Sequence, residues 1–328
     1  MSFENKKFQI LPDNLMLHCN DIRSLNVTET SLYESLLTTN SALCLFVKLH
    51  LLNNKMSCPN CSTAMHLKTD KSVADGLRWR CCNCNKQLSV RHRSIFSESR
   101  LPLQILMKLL YKLSHNIEIM TIAHDLVLTR KTVSVWASLV RDAIITYFEK
   151  NKVKVGGFSD DGTSLIVEMD ESLFFKRKYN RGLIRNGQWY VAGVERGSKK
   201  AFIVPVENRN ANTMRNIIVD NVHQGSTIVT DEWRAYGAAL RNLPEFTHLT
   251  VNHSFNFVDP DDPSIHTQSV ESFWSHCKKD LRRKNGINKT AEFDHLVKFI
   301  WERGVDKFKK FNEIIILFMS ADYDSYFE

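Results

Sequence analysis

Four of the cysteines fall as two C-x-x-C knuckles, Cys58-Pro59-Asn60-Cys61 and Cys81-Cys82-Asn83-Cys84, with 19 residues between them. A two-residue gap lets a tight turn aim both sulfurs of a knuckle at one ion, and two such turns supply the closed thiolate tetrahedron that Zn²⁺ favours. Cys58, Cys61, Cys81 and Cys84 are therefore the expected ligands of a structural zinc, and Cys82, inside the second knuckle, is expected to be a spare thiol. Two disulfides in a secreted domain would be the other reading. The leftover Cys19, Cys44, Cys82 and Cys277, and an opening MSFENKKFQILP without a signal-peptide apolar core, argue against it.

Three acids form a second candidate set. Asp170 ends a strand-like run from Ser164, Asp231 ends another from Ser226, and Glu271 opens a helical pattern that continues to about Leu281. Brought together, carboxylates offer the hard oxygen ligands that suit Mg²⁺ or Mn²⁺, which leave room for a substrate phosphate. Two such ions about 3.5–4 Å apart can activate an attacking oxygen and stabilise the leaving one. Glu168 lies two residues from Asp170, hence on the same strand face, and is a supporting or substitute candidate; Glu171 points the other way.

The elements that must carry these groups are legible in outline. Residues 1–57 hold one apolar, helix-compatible stretch, Ser31 to Leu52, expected to pack or dimerise. Residues 58–97 read as a zinc ribbon. Within 98–150, Leu106, Leu109, Leu110 and Leu113 recur at helical spacing, a short helix covers Glu118 to Leu126, and Thr129 caps a third whose face is Val133, Trp136, Val140 and Ile144. This predicts a helix-turn-helix, with Arg130, Lys131 and Ser134 turned outward. Residues 151–163 turn to Lys, Gly, Ser and Asp, a predicted linker. From 160 to 304 the order is β-β-β-α-β-α-β-α, the succession of an RNase H-like fold with a mixed five-stranded sheet; residues 305–328 read as a C-terminal tail helix. The expected class is thus α+β multidomain.

Composition sets outer limits. With 328 residues, 43% hydrophobic, the chain can fill about two domain cores. No apolar run approaches the roughly 18 residues of a membrane span. The net charge of +8 is mild. Its distribution is not: from Arg78 to Lys131 ten basic residues face only Glu98, Glu118 and Asp125, which beside a helix-turn-helix favours a polyanionic partner.

At the acids the sequence resembles a known family. Val167-Glu-Met-Asp-Glu-Ser-Leu-Phe-Phe-Lys-Arg-Lys-Tyr-Asn-Arg-Gly182, Thr230-Asp-Glu-Trp-Arg-Ala-Tyr236, Leu249-Thr-Val-Asn-His253-Ser-Phe-Asn-Phe-Val-Asp259 and His266-Thr-Gln-Ser-Val-Glu-Ser-Phe-Trp274 are similar to the blocks of the Merlin superfamily of DDE transposases, eukaryotic relatives of bacterial insertion-sequence transposases. The likeness runs from the ribbon to about Arg303; Phe175 departs from it where a small residue is expected. The resemblance implies a catalytic triad of Asp170, Asp231 and Glu271 holding two Mg²⁺ or Mn²⁺ ions. It also implies cut-and-paste transposition at terminal inverted repeats and, in a eukaryote, residence in the nucleus.

The expected partner is double-stranded DNA, both transposon ends and target, with no membrane and no small-molecule substrate. Synapsis of two ends calls for a homodimer or larger assembly. Arg130, Lys131 and Ser134 are the expected contacts from the helix-turn-helix. Lys176, Arg177, Lys178 and Arg181 follow the first acid, and Lys278, Lys279 and Arg282 follow the third; all seven are expected to meet the phosphate backbone. His253 and His266 are expected in structural hydrogen bonds, and Trp233, Tyr236, Phe273 and Trp274 in the core. A competing expectation is a domesticated zinc-ribbon and helix-turn-helix regulator without catalysis.

Overall fold

The computed structural model describes residues 7–174, 187–251, 265–284, 287 and 291–320. The chain divides into two compact units, Met1–Thr146 with Val305–Glu328, and Tyr147–Gly304.

The first unit opens with three short helices, α1 (Cys19–Ser24), α2 (Glu29–Glu34) and α3 (Thr39–Lys48). The stretch expected as one helix from Ser31 to Leu52 is thus divided. Thr38 Oγ1 accepts the Ser41 N–H while Ser41 Oγ accepts that of Thr38, a reciprocal cap that starts α3 afresh. An antiparallel sheet follows, β1 (Met65–Thr69), β2 (Leu77–Cys81) and β3 (Gln87–Ser89), in that spatial order. Three helices come next: α4 (Leu103–Ser114), α5 (Ile119–Asp125) and α6 (Arg130–Lys150). Thr129 Oγ1 accepts the Thr132 N–H at the head of α6, and the buried face of that helix is the expected Val133, Trp136, Val140 and Ile144.

Phe96 joins the layers of this unit: its ring meets Phe46 of α3 edge-on and stacks on Trp136 of α6. Residues after Val305 return here as α11 (Lys310–Ser320), whose Asn312 donates to the carbonyls of Arg23 and Leu25 and whose Phe311 packs on Tyr111.

The second unit is three-layered. Its sheet is built from β5 (Ile166–Phe174), β6 (Gln188–Glu195), β7 (Ala201–Val206), β9 (Thr227–Asp231) and β10 (Thr247–Val251), in the order β10-β9-β5-β6-β7. Strands β5, β6 and β7 pair antiparallel, whereas β9 runs parallel to both β5 and β10. Helices α7 (Ala211–Asn221) and α8 (Arg234–Leu240) pack on Val167, Met169 and Ile228 of one face; α9 (Gln268–Arg283) and α10 (Glu292–Gly304) pack on Phe174, Tyr190 and Ala192 of the other.

The expected linker at 151–163 is instead folded onto this unit. There β4 (Val155–Gly156) pairs with β8 (Val222–His223), and Val155 enters the core. Gly156 has φ +81, and a Cβ there would lie 2.2 Å from Ser226 Oγ, so only glycine lets the backbone pass. Its N–H donates to Glu195 at 2.8 Å. Glycine reads as a linker residue in sequence and serves here as a close-packing one.

A buried ion pair corrects the charge reading of the first unit. Arg91 donates twice to the Asp75 carboxylate, at 2.6 and 2.7 Å, and once to the Ser99 carbonyl. Arg78 pairs with Asp70 at 2.8 Å. Two of the ten basic residues are therefore neutralised by acids that lie just before the counted segment. With side chains only 4% and 7% exposed, removing one partner strands a buried charge at about 3–5 kcal/mol. Asp75→Ala should lower the stability of the first unit by that amount in urea unfolding, while Glu98→Ala, on the exposed surface, should change it by less than about 0.5 kcal/mol.

Candidate functional site

The four thiols converge where the turn after β2 meets the knuckle before β1. Cys58 and Cys84 lie 3.4 Å apart, Cys61 and Cys81 3.5 Å, and Cys61 and Cys84 3.7 Å. All four sulfurs are within 4.8 Å of one another. Tetrahedral Zn–S bonds of about 2.3 Å imply sulfur separations of roughly 3.8 Å, so the cluster could hold a structural zinc ion.

Both knuckles are made the same way. The Cys58 N–H donates to the Thr63 carbonyl and the Cys81 N–H to that of Lys86, each five residues on. The residue after each second cysteine, Ser62 or Asn85, takes positive φ. Hydrogen bonding with Thr63, through its side chain and then its backbone, holds the Cys61 thiol down at about 6, whereas Cys84, drawn down by the Lys86 backbone but pushed the other way by the Cys58 thiol, burial and the Cys81 and Cys61 thiols, rises to about 12. Cys82 stands apart, 3.2 Å from His66 Nδ1.

The acids lie in the second unit. Asp231 is the last residue of β9, and its Oδ1 accepts the Trp233 N–H at 3.0 Å, which fixes the turn into α8. Asp170 does not end its strand: β5 continues to Phe174, and Asp170 pairs with Ala192 in mid-ladder. Glu168 is abreast of Val229, where the ladder between β5 and β9 ends, and Asp170 and Asp231 each lie two residues further along their strands, on the face that α9 covers. Glu271 is in the first turn of α9, where Thr267 Oγ1 donates to its carboxylate at 3.2 Å. Asp170 and Asp231 thus lie on the sheet face that α9 covers, and Glu271 lies in the first turn of that helix. Among the described residues they do not form a group as compact as the four thiols.

Glu168, expected as a supporting or substitute acid, joins β5 to the start of α9. It is fully buried. Oε2 accepts the N–H groups of Ser269 and Val270, at 2.6 and 3.1 Å, and Oε1 accepts the Ser269 hydroxyl at 2.9 Å and Arg196 Nε at 2.8 Å. Both of its oxygens are thus met by donors of α9 and Arg196. His266 belongs to this network, with Nδ1 3.4 Å from Glu168 and its carbonyl accepting from Arg196.

Glu171 lies on the opposite face with Tyr236 and Arg209. Burial pushes its carboxyl up to about 7; the Tyr236 hydroxyl partly offsets this, and the charges of Asp170 and Asp231 add to it. Arg209 lies 3.5 Å over the Trp189 ring and 5.2 Å from that of Trp233. Neither Arg196 nor Arg209 stands out in the sequence, since each lies in a turn between elements and its partners are distant along the chain.

Of the expected DNA contacts, Arg130 and Lys131 are exposed at the head of α6 and Ser134 is half-buried. Lys279 and Arg282 are exposed on α9, and Lys278 lies over the Phe174 ring at 5.5 Å. Lys176, Arg177, Lys178 and Arg181, with Phe175 and His253, fall outside the described residues. Tyr236, Phe273 and Trp274 are core residues, and Trp233 packs at the core's edge.

Residues 164–303 match the family described as the ISXO2-like transposase domain. An uncharacterized transposase-like protein of Haemophilus influenzae is 32% identical over 90 residues, which cover 27% of this chain and 69% of that protein. The chain belongs to the insertion-sequence transposases. The transposase match begins just before β5 and ends within α10, so it takes in Asp170, Asp231, Glu271 and the Glu168 network. The relative is bacterial and lends no support to nuclear residence. Among the described residues of this transposase no helix is long and apolar enough to cross a membrane.

Two measurements follow. Purified transposase should carry one zinc per chain by elemental analysis; Cys58→Ser should lose it and open residues 57–89 to limited proteolysis, because metal binding here is folding energy, whereas Cys82→Ser should retain it. For Glu171, a folded value near 7 against an ordinary 4.5 means that its stabilising contribution is complete below about pH 4.5 and is lost as pH rises through 7. Glu171→Gln should remove that slope and be the more stable form at pH 8, by on the order of 3 kcal/mol, in urea titrations across this range.

Proposed function

We propose that this chain is a DNA transposase that binds the terminal inverted repeats of its element and performs metal-dependent strand cleavage and strand transfer. The observation that carries the reading is that Asp170 and Asp231 each lie two residues beyond the last pair of the parallel ladder between β5 and β9, with Glu271 in the first turn of the helix tied to β5, all inside the matched transposase domain. The sheet order β10-β9-β5-β6-β7, with only β9 and β10 parallel to β5, supports an RNase H-like catalytic domain over 160–304. Residues 58–97 form the zinc ribbon and 98–150 the helix-turn-helix that reads the element's ends, with Arg130, Lys131 and Ser134 facing DNA.

The donor set fits Mg²⁺ or Mn²⁺. Three carboxylates supply hard oxygens, and Glu168, the acid that could compete, is occupied by α9 and Arg196. Two ions held by Asp170, Asp231 and Glu271 would polarise the scissile phosphate and lower the pKa of an attacking oxygen. The chain's own part is placement. Asp231 is oriented by the Trp233 N–H and Glu271 by Thr267; Lys278, Lys279 and Arg282 extend the binding face along α9 for the phosphate backbone. Water attacks first and frees a 3′-hydroxyl at the element's end, and that hydroxyl then attacks target DNA in line. Both steps are phosphoryl transfers at one site, without a covalent protein intermediate. Two ends must be held together, so the active form is a homodimer or larger assembly.

Asp231→Asn removes one metal-binding charge from a site where such stabilisation is worth several kcal/mol. Cleavage of DNA carrying the element's own ends should fall on the order of 10³-fold, while binding to the same DNA without Mg²⁺ is retained. Undiminished cleavage by Asp231→Asn and Asp170→Asn would overturn the catalytic assignment.

A further inference from the structure

Glu168 is a carboxylate with no exposed surface, two residues from Asp170 on the same strand face. Burying a carboxylate is costly unless its oxygens are met by donors, and these are met by a particular set: two main-chain N–H groups and a hydroxyl from the first turn of α9, and the Arg196 guanidinium. The first turn of a 16-residue helix presents unsatisfied N–H groups and the positive end of the helix dipole. A buried anion at that point holds the helix at a fixed height along β5. Glu271 is the next residue after Val270, whose N–H is one of the two donors.

We propose that Glu168 is the positioning residue of the acid triad: by anchoring the N-terminus of α9 to β5, and Arg196 and His266 with it, it sets where Glu271 stands relative to Asp170. Glu168 touches no substrate and holds no ion. Asp170 is held by the ladder of β5 with β6 and Asp231 by that of β9 with β10, but Glu271 reaches the site on a helix some hundred residues after Asp170 in the chain, and the Glu168 side chain hydrogen-bonds that helix's first turn to the first acid's strand. The inference rests on the catalytic reading of the three acids given above.

The test is Glu168→Gln in the full-length, zinc-loaded protein. Glutamine has one acceptor oxygen where glutamate has two, so its NH₂ must face either the Ser269 and Val270 N–H groups or the Arg196 and Ser269 side-chain donors. Half of the anchor is lost without change in side-chain volume. Two readouts are paired. Hydrogen exchange at the Ser269, Val270 and Glu271 amides should accelerate at least ten-fold over wild type, with exchange in β6 unchanged. The Mg²⁺ concentration that half-saturates cleavage of element-end DNA should rise at least ten-fold, with metal-free DNA binding unchanged and with partial recovery in Mn²⁺.

Ser269→Ala deletes one donor and leaves the charge and backbone intact; it should shift both readouts in the same direction by roughly two- to three-fold, and it decides the question if Glu168→Gln does not fold. Normal exchange in the first turn of α9, or a loss of cleavage with an unchanged Mg²⁺ half-saturation, would overturn the positioning role. A wild-type protein that fails to cleave under any Mg²⁺ or Mn²⁺ concentration would instead overturn the catalytic reading itself.

Discussion

A carboxylate buried against the start of a helix is the constraint on which the second unit's architecture turns. The sheet can order its strands through main-chain ladders, but a helix lying on a sheet face is held mainly by apolar contacts, which are non-directional and permit sliding. Val270, Phe273 and Trp274 give α9 its adhesion to the sheet. Glu168 gives it a coordinate along the strand. The cost of burying that charge is offset by the donors of a helix end that needs an acceptor in any case, and by Arg196, so two liabilities cancel at one point. Adhesion and register are thus supplied by different chemistry on one helix.

The first unit solves a similar problem by other means. Its sheet is too small to bury much, and its strands are drawn together by two matching knuckles whose sulfurs are all within 4.8 Å. Arg91 and Asp75 then secure the segment leaving the sheet, and Phe96 passes the packing on to α3 and α6. In both units a few directional contacts fix geometry, and apolar burial supplies the bulk of the adhesion.

What was legible in the sequence is what is local in it. The cysteine spacing, the outward and inward faces of α6, and the strand that ends at Asp231 each follow from residues within a few positions of one another. Asp170 reads as a strand end because it is an acid after an apolar run, whereas here the ladder with β6 carries the strand on to Phe174. Arg91 and Arg78 read as part of a basic surface because their partners, Asp75 and Asp70, lie just upstream of the basic run that begins at Arg78. The break between α2 and α3 is local too, but it rests on one reciprocal cap at Thr38 inside an otherwise continuous apolar pattern. Glu168 could be paired with nothing, since its donors on α9 are about a hundred positions away.

The return of α11 to the first unit has a consequence for how the chain is made. Asn312 and Lys309 bond to carbonyls at the end of α1, so the first unit cannot close when its own N-terminal part leaves the ribosome. It must wait for the whole of Tyr147–Gly304 to be synthesised, on the order of 10 to 30 seconds at 5–20 residues per second. During that interval the surface that Phe311 and Ile315 will cover is apolar and open, while the second unit, continuous in sequence, can complete itself. The nascent chain therefore finishes its middle before its beginning, and that half-built first unit is where chaperones have most to protect.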